Sequence, residues 1–184
     1  VPVRIFDYTK SMSRHPRHTF PIVAEPPPIP QVSNRVFAFD LDGTVTGCEM
    51  LPIIAAHTGL ERELTELTRK TLIGELDFEI SFRRRFAMLR HVPLRLVQEI
   101  AASIPLDPFI TDFIRTRRHE CVIVTGNLDL WIQPILSFLG CRYFASEGFL
   151  EKGEIYLQSV LHKGAAADCL LHEGKRIVAV GESA

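Results

Sequence analysis

Three short apolar runs, each stopped by polar or acidic residues, constrain this chain more than any other feature. Val36-Phe37-Ala38-Phe39 is cut off by Asp40-Leu41-Asp42-Gly43, and Cys121-Val122-Ile123-Val124 ends in Thr125-Gly126-Asn127. Lys175-Arg176-Ile177-Val178-Ala179-Val180 ends in Gly181-Glu182. A strand that is apolar without alternation is covered on both faces, as in a parallel sheet flanked by helices. Helical patterns do lie between the runs, over 107–118, over 129–139 up to Gly140, and over 164–173 up to Gly174. This alternation predicts an α/β fold with a doubly wound parallel sheet. In open sheets of that kind ligands bind beyond the carboxyl ends of the strands, so the three polar strand ends predict a single site.

Residues 47–105 do not fit as one crossover between strands. They read as about four helices, far longer than an ordinary connection, which predicts a helical insertion after the first strand that lies over the strand ends as a cap. A short strand near 142–145 and a hairpin with Gly153 at its turn complete the pattern. Residues 1–34, with Pro26, Pro27, Pro28 and Pro30, have the composition of an extended arm or spacer. The expected division is therefore an arm over 1–34, a core formed by 35–46 and 106–184, and a cap over 47–105.

A net charge of −1 argues against nucleic acid or an anionic membrane as the main partner, and no apolar stretch approaches membrane-spanning length. Cys48, Cys121, Cys141 and Cys169 show no zinc-ligand spacing; free thiols in a reducing, cytoplasmic compartment are the expectation. The sequence leaves the oligomeric state open.

Asp40 and Asp42, one residue apart past a buried strand, carry the chemistry. Strand geometry continued through them would aim both carboxylates to one side. Like charges so placed repel unless a proton or cation sits between them. Mg²⁺, a hard cation that prefers oxygen ligands, would relieve the repulsion and bring a phosphate with it. The plainer alternative is an acidic turn that caps the following helix.

DLDGTVT over 40–46 resembles the first signature, DxDGTxT, of haloacid dehalogenase superfamily phosphatases. Thr125-Gly126-Asn127 resembles the second signature, Lys163 the third, and Gly181-Glu182 the start of the acidic fourth, in the family's order. Within the superfamily the pattern most resembles phosphoserine phosphatase. The resemblance implies a Rossmann-like core, a Mg²⁺ cofactor, and hydrolysis of a small phosphorylated metabolite. By resemblance Asp40 is the nucleophile that forms an aspartyl-phosphate, and Asp42 is the general acid and then the base. Lys163 and Thr125 would bind phosphoryl oxygens; Asp40, the Asp42 backbone carbonyl and Glu182 would hold the metal. Gly126 and Asn127 would line the substrate pocket, with Asn127 standing where these enzymes usually have glycine. Relatives that stop at the phosphoenzyme carry Thr in place of Asp42, so Asp42 favours a phosphatase.

The segment 74–85 resembles the cap of phosphoserine phosphatase, which by resemblance assigns Glu49 to a substrate amine and Arg85 to a substrate carboxylate. Helix geometry bears separately on Arg85. At about 100° per residue Phe78, Phe82, Phe86 and Leu89 share one face, and Arg85 lies roughly 20° outside it, whereas Arg83 and Arg84 project away. An arginine beside an apolar stripe needs an anion or must snorkel to water, and geometry alone leaves both open.

The chain begins with Val1 and ends at Ala184, where the resemblance calls for a further acid, a strand and a helix, so a missing C-terminal part of the core is expected. Two other functions stay open: a related phosphatase for a different small phosphomonoester, and an inactive module that binds a metabolite or partner.

Overall fold

The computed structural model describes residues 34–181. The arm expected over 1–34 therefore lies almost wholly outside the described residues, as does Glu182. The elements in chain order are β1 (Arg35–Phe39), α1 (Met50–Thr58), α2 (Glu61–Leu72), α3 (Phe78–Leu89), α4 (Leu94–Ser103), α5 (Pro108–Thr116) and β2 (Cys121–Leu128). They continue as α6 (Asp129–Leu139), β3 (Arg142–Glu151), β4 (Glu154–Ser159), α7 (Lys163–His172) and β5 (Arg176–Val180).

The strands form one sheet in the order β4-β3-β2-β1-β5. β1 runs parallel to both β2 and β5, β2 runs parallel to β3, and only the β3–β4 pair is antiparallel. Side chains alternate across β1 and β2. Phe39, Cys121 and Ile123 enter the large core cluster with Ile114 of α5 and Ile132, Ile135 and Leu136 of α6, and Phe37 packs against it. Val36 and Val122 join Leu170 of α7 on the other face, with Ala38 and Val124 alongside. Both faces of these strands are covered, which is why their sequences run apolar without interruption. The predicted doubly wound α/β architecture is therefore present.

Two strands differ from the sequence expectation. β2 does not stop at Val124 but continues through Thr125-Gly126-Asn127 to Leu128, with a register shift against β3 between Val124 and Leu128. β3 is a single strand of ten residues; it leaves β2 near Ser146 and goes on to form the hairpin with β4. Apolar runs mark where a strand is buried, whereas strand ends follow pairing partners that lie far away in sequence.

Helices α1–α4 occupy 50–103, between β1 and α5. The chain leaves the sheet and returns side by side: Thr46 bridges Leu106, Gly47 N–H donates to the Pro105 carbonyl at 3.1 Å, and Asp107 N–H donates to Val45 at 2.9 Å. The apolar faces of α3 and α4 rest on α6. Trp131 stacks on Phe86, with ring centroids 6.2 Å apart, and lies 6.3 Å from Phe82. Pro134 inside α6 has no N–H for the Leu130 carbonyl, and Gln98 of α4 supplies the missing donor at 2.9 Å. Among the described residues no helix is long and apolar enough to cross a membrane.

Candidate active site

The carboxyl ends of β1, β2 and β5 meet the start of α7, and each of these elements delivers one part of the site. Asp40 follows β1. Its N–H bonds the Val180 carbonyl of β5 at 2.9 Å, and its Oδ1 accepts from Leu41 N–H at 2.8 Å, so both the backbone and one carboxylate oxygen are fixed. The other oxygen, Oδ2, takes the Lys163 ammonium at 2.5 Å. Lys163 opens α7, and the contact spans 123 residues of sequence. Gly181 comes so close that a Cβ there would lie 3.1 Å from the Asp40 Cβ. A side chain at that position would push apart the ends of β1 and β5.

A kinked turn, Leu41–Val45, carries the chain on from Asp40, with Asp42 extended and Gly43 at φ 69°. That left-handed angle explains the glycine. Leu41 and Val45 are buried and anchor the turn from below. Asp42 is held between two donors: Met50 N–H at the start of α1 reaches Oδ1 at 3.3 Å, and the Asn127 side-chain amide reaches Oδ2 at 2.8 Å. Burial pushes the Asp42 carboxyl up from 3.8 to about 6, the Asn127 bond works against that rise, and Glu49 and Asp40 add to it by charge repulsion.

Thr125 is buried at the end of β2. Its Oγ1 accepts from both the backbone N–H and the side-chain amide of Asn127, each at 3.2 Å. The Gly126 carbonyl accepts from Ser146 Oγ at 2.8 Å. A Cβ on Gly126 would meet the Phe78 ring at 2.6 Å, so the first residue of α3 lies directly against this strand end.

Glu49 stands at the N-terminal boundary of α1, and its charge is felt by Asp42 and Arg85 alike. Arg85 is half-buried on α3; burial lowers its pKa and Glu49 opposes that effect. One of its nitrogens donates to Thr71 Oγ1 at 3.2 Å, while its Nε is buried without a partner. The guanidinium thus keeps an unused donor away from bulk water, which full snorkelling would not leave.

The structure brings Asp40, Asp42, Thr125, Gly126, Asn127 and Lys163 together, with the charge of Glu49 acting on both Asp42 and Arg85. Asp40 and the Asp42 backbone offer oxygen donors only, and this suits a hard cation that takes one or two carboxylates and keeps water for its other positions. Among the described residues no three His, Cys, Asp or Glu side chains form a metal cluster.

Three contacts were not foreseen from sequence. Helical periodicity groups Phe78 with the apolar stripe of its helix, yet it is 38% exposed and covers Gly126. Glu79 of α3 meets His162, the residue before Lys163, at 3.1 Å. Arg83 and then His162 hold the Glu79 carboxyl below its usual range. The third is the Asn127–Asp42 bond. Helical periodicity carries no signal for contacts of this kind, because all three join separate elements.

The family model for haloacid dehalogenase-like hydrolases matches residues 37–183. The phosphoserine phosphatase SerB2 of Mycobacterium tuberculosis is 31% identical over 117 residues, which are 62% of this chain and 29% of that protein. The phosphoserine phosphatase of Streptomyces coelicolor is 36% identical over 122 residues, 65% of this chain and 30% of that protein. That of Methanocaldococcus jannaschii is 27% identical over 126 residues, 66% of this chain and 60% of that protein. The matched stretch is thus less than two thirds of each of these relatives. A solved phospho-aspartyl intermediate analogue of phosphoserine phosphatase superposes with a TM-score of 0.66 at 25% identity, covering 82% of this chain and 79% of that one. A HAD family hydrolase from Salmonella enterica gives a TM-score of 0.69 at 24% identity, covering 82% of this chain and 57% of that one, which is a likeness of fold.

Proposed function

The chain belongs to the haloacid dehalogenase-like hydrolase family, and from that premise we propose that it hydrolyses a small phosphate monoester through an aspartyl-phosphate on Asp40, with phosphoserine the preferred substrate. The observation that carries this reading is the pair of carboxyls at the end of β1. One of them is ion-paired with Lys163, and the other is pushed up to about 6 by burial. A fixed carboxylate suits a nucleophile, and a carboxyl with a raised pKa suits a proton donor.

In the first step an Asp40 oxygen forms a bond to phosphorus as the bond from phosphorus to the leaving oxygen breaks. Asp42 gives its proton to that oxygen, so the product leaves as an alcohol. In the second step Asp42 takes a proton from water, the hydroxyl bonds to phosphorus, and the Asp40 carboxylate is released with inorganic phosphate. Lys163 and the Thr125 hydroxyl bind the phosphoryl oxygens, where preorganised donors count most. Asp40 and the Asp42 carbonyl, together with Glu182 outside the described residues, would hold Mg²⁺, which would supply further positive charge beside the phosphoryl group. Helices α1–α4, taken as a cap over 47–105, close the site from above the core formed by 35–46 and 106–184.

Arg85, with its unpartnered Nε, and Glu49 suit the carboxylate and amine of an amino-acid head group. The head group draws on both, whereas a simple alkyl phosphate uses neither. The cysteines of the described residues are all free, which suits a reducing compartment such as the cytoplasm.

Phosphate release from O-phosphoserine and from phosphoethanolamine, with Mg²⁺ and with EDTA, tests the reading. Release is expected only with Mg²⁺, and Asp40→Asn should abolish it. Arg85→Met should raise KM for phosphoserine by about tenfold to a hundredfold, the worth of a hydrogen bond between charged groups, and leave phosphoethanolamine nearly unchanged. Release that survives Asp40→Asn would rule out the nucleophile assignment; equal losses on both substrates would rule out the head-group assignment.

A further inference from the structure

We propose that Asn127 is a positioning residue that holds the Asp42 carboxyl group in line with the leaving oxygen, rather than a lining of the substrate pocket. This inference rests on the phosphatase reading above and adds a residue to its machinery. Asn127 Nδ2 spends its two hydrogens inside the protein, one on Asp42 Oδ2 at 2.8 Å and one on Thr125 Oγ1 at 3.2 Å. Its backbone N–H also turns back to Thr125 Oγ1, at 3.2 Å. Both hydrogens of the amide nitrogen are therefore taken, and it has no donor left for a substrate.

Asp42 needs such a clamp. It lies on a turn past the strand, with non-helical dihedrals of its own, next to Gly43 with its left-handed angle. Its other hydrogen bond, from Met50 N–H, is long at 3.3 Å. The short bond from Asn127 thus sets the rotation of the carboxyl group. Both partners of Asp42 are donors, and a donor cannot accept a proton. A proton on Asp42 is consequently not drawn into an internal hydrogen bond and stays available on the open side. Thr125 enters the same chain of contacts, so one side chain links the group that moves protons to a group that binds the phosphoryl oxygens.

A proton donor that is misplaced hurts a reaction in proportion to how badly the leaving group needs the proton. An alkoxide cannot leave without it, whereas a nitrophenolate can. The test is a series of simple aryl and alkyl phosphate monoesters of graded leaving-group basicity, none bearing an amino-acid head group, hydrolysed by wild type, Asn127→Gly and Asn127→Leu. kcat/KM reports the step in which the leaving group departs. General acid catalysis contributes about a hundredfold to ten-thousandfold, and losing its alignment should remove at least about tenfold of that for alkyl esters. The nitrophenyl ester should change by less than about threefold. A uniform loss along the series would overturn the proposal, because damage to the fold or to phosphate binding acts on every ester alike; no loss at all would overturn it too.

If wild type released phosphate from none of the esters, the phosphatase reading would fail, and the contact itself would still be read by NMR. The Asn127 side-chain amide resonances should move in Asp42→Ala. Resonances that stay in place would overturn the proposal without any reference to activity.

Discussion

The role proposed for Asp42, to donate a proton and then accept one, is served best by a pKa near the operating pH, and burial moves its carboxyl that way. Its carboxyl stays protonated up to about 6 in the folded chain, against 3.8 for an ordinary aspartate. Between those values the folded chain holds a proton that the unfolded chain has released. The stabilisation is therefore fully present below 3.8 and is lost as pH rises through about 6. In EDTA, the melting temperature of wild type relative to Asp42→Asn should fall across that interval and level off above it; parallel curves would show that Asp42 titrates like an exposed aspartate. That Asp40, Asp42 and Lys163 would lie together in one candidate site was legible, because chain order and strand ends locate them. The group that holds Asp42 was not legible, since Asn127 lies 85 residues further along the chain. Sequence marked Asn127 as a departure from glycine. Only the register of β2 beside β1 shows that the amide faces Asp42.

At the scale of elements, the four helices between β1 and α5 were legible from length and periodicity, but their attachment was not. The joint between α4 and α6 illustrates the difficulty. Periodicity predicts a helix over 129–139, and α6 does run from Asp129 to Leu139, but Pro134 within it leaves one carbonyl without its backbone donor. The orphaned Leu130 carbonyl takes its hydrogen bond from Gln98 instead, a polar residue on another helix that nothing in the sequence ties to Pro134. Gln98→Ala should cost about 1 kcal/mol, the usual net worth of a hydrogen bond. Pro134→Ala would restore an N–H four residues after Leu130 and make Gln98 redundant. A double-mutant cycle by denaturant unfolding should thus find Gln98→Ala close to neutral in the Pro134→Ala background. Additive costs would mean that Gln98 does not stand in for the missing N–H. The same reasoning applies to Phe78, which periodicity groups with a buried stripe although the end of β2 draws it over Gly126.

At the scale of the whole molecule, the question is whether helices α1–α4 form a unit that opens apart from the sheet or share its stability. Their apolar side chains do not make a separate core. Leu64, Phe82, Phe86, Leu89, Val97 and Ile100 belong to the same buried cluster as Phe39, Ile123, Ile132 and Leu139. The seam between them is aromatic: Trp131 is buried, stacked on Phe86 and tilted against Phe82, and such rings contribute through both area and geometry. The covalent joint is narrow, since the chain crosses at 46–47 and 105–107, where two backbone hydrogen bonds flank the Thr46–Leu106 bridge and tie the two segments together. A narrow hinge permits motion, but stripping the helices away would expose Trp131 and both phenylalanines to water, at about 25 cal/mol for each Å² of apolar surface. Small rocking about the hinge is compatible with that cost, and independent melting of the helices is not. The chain contains a single tryptophan, so its fluorescence reports on this seam alone. Thermal or denaturant unfolding followed by Trp131 fluorescence and by far-UV circular dichroism should give one coincident transition. A fluorescence midpoint well below that of the dichroism would mean that the helices leave the sheet first, and that the shared apolar cluster does not bind the two parts into one cooperative unit.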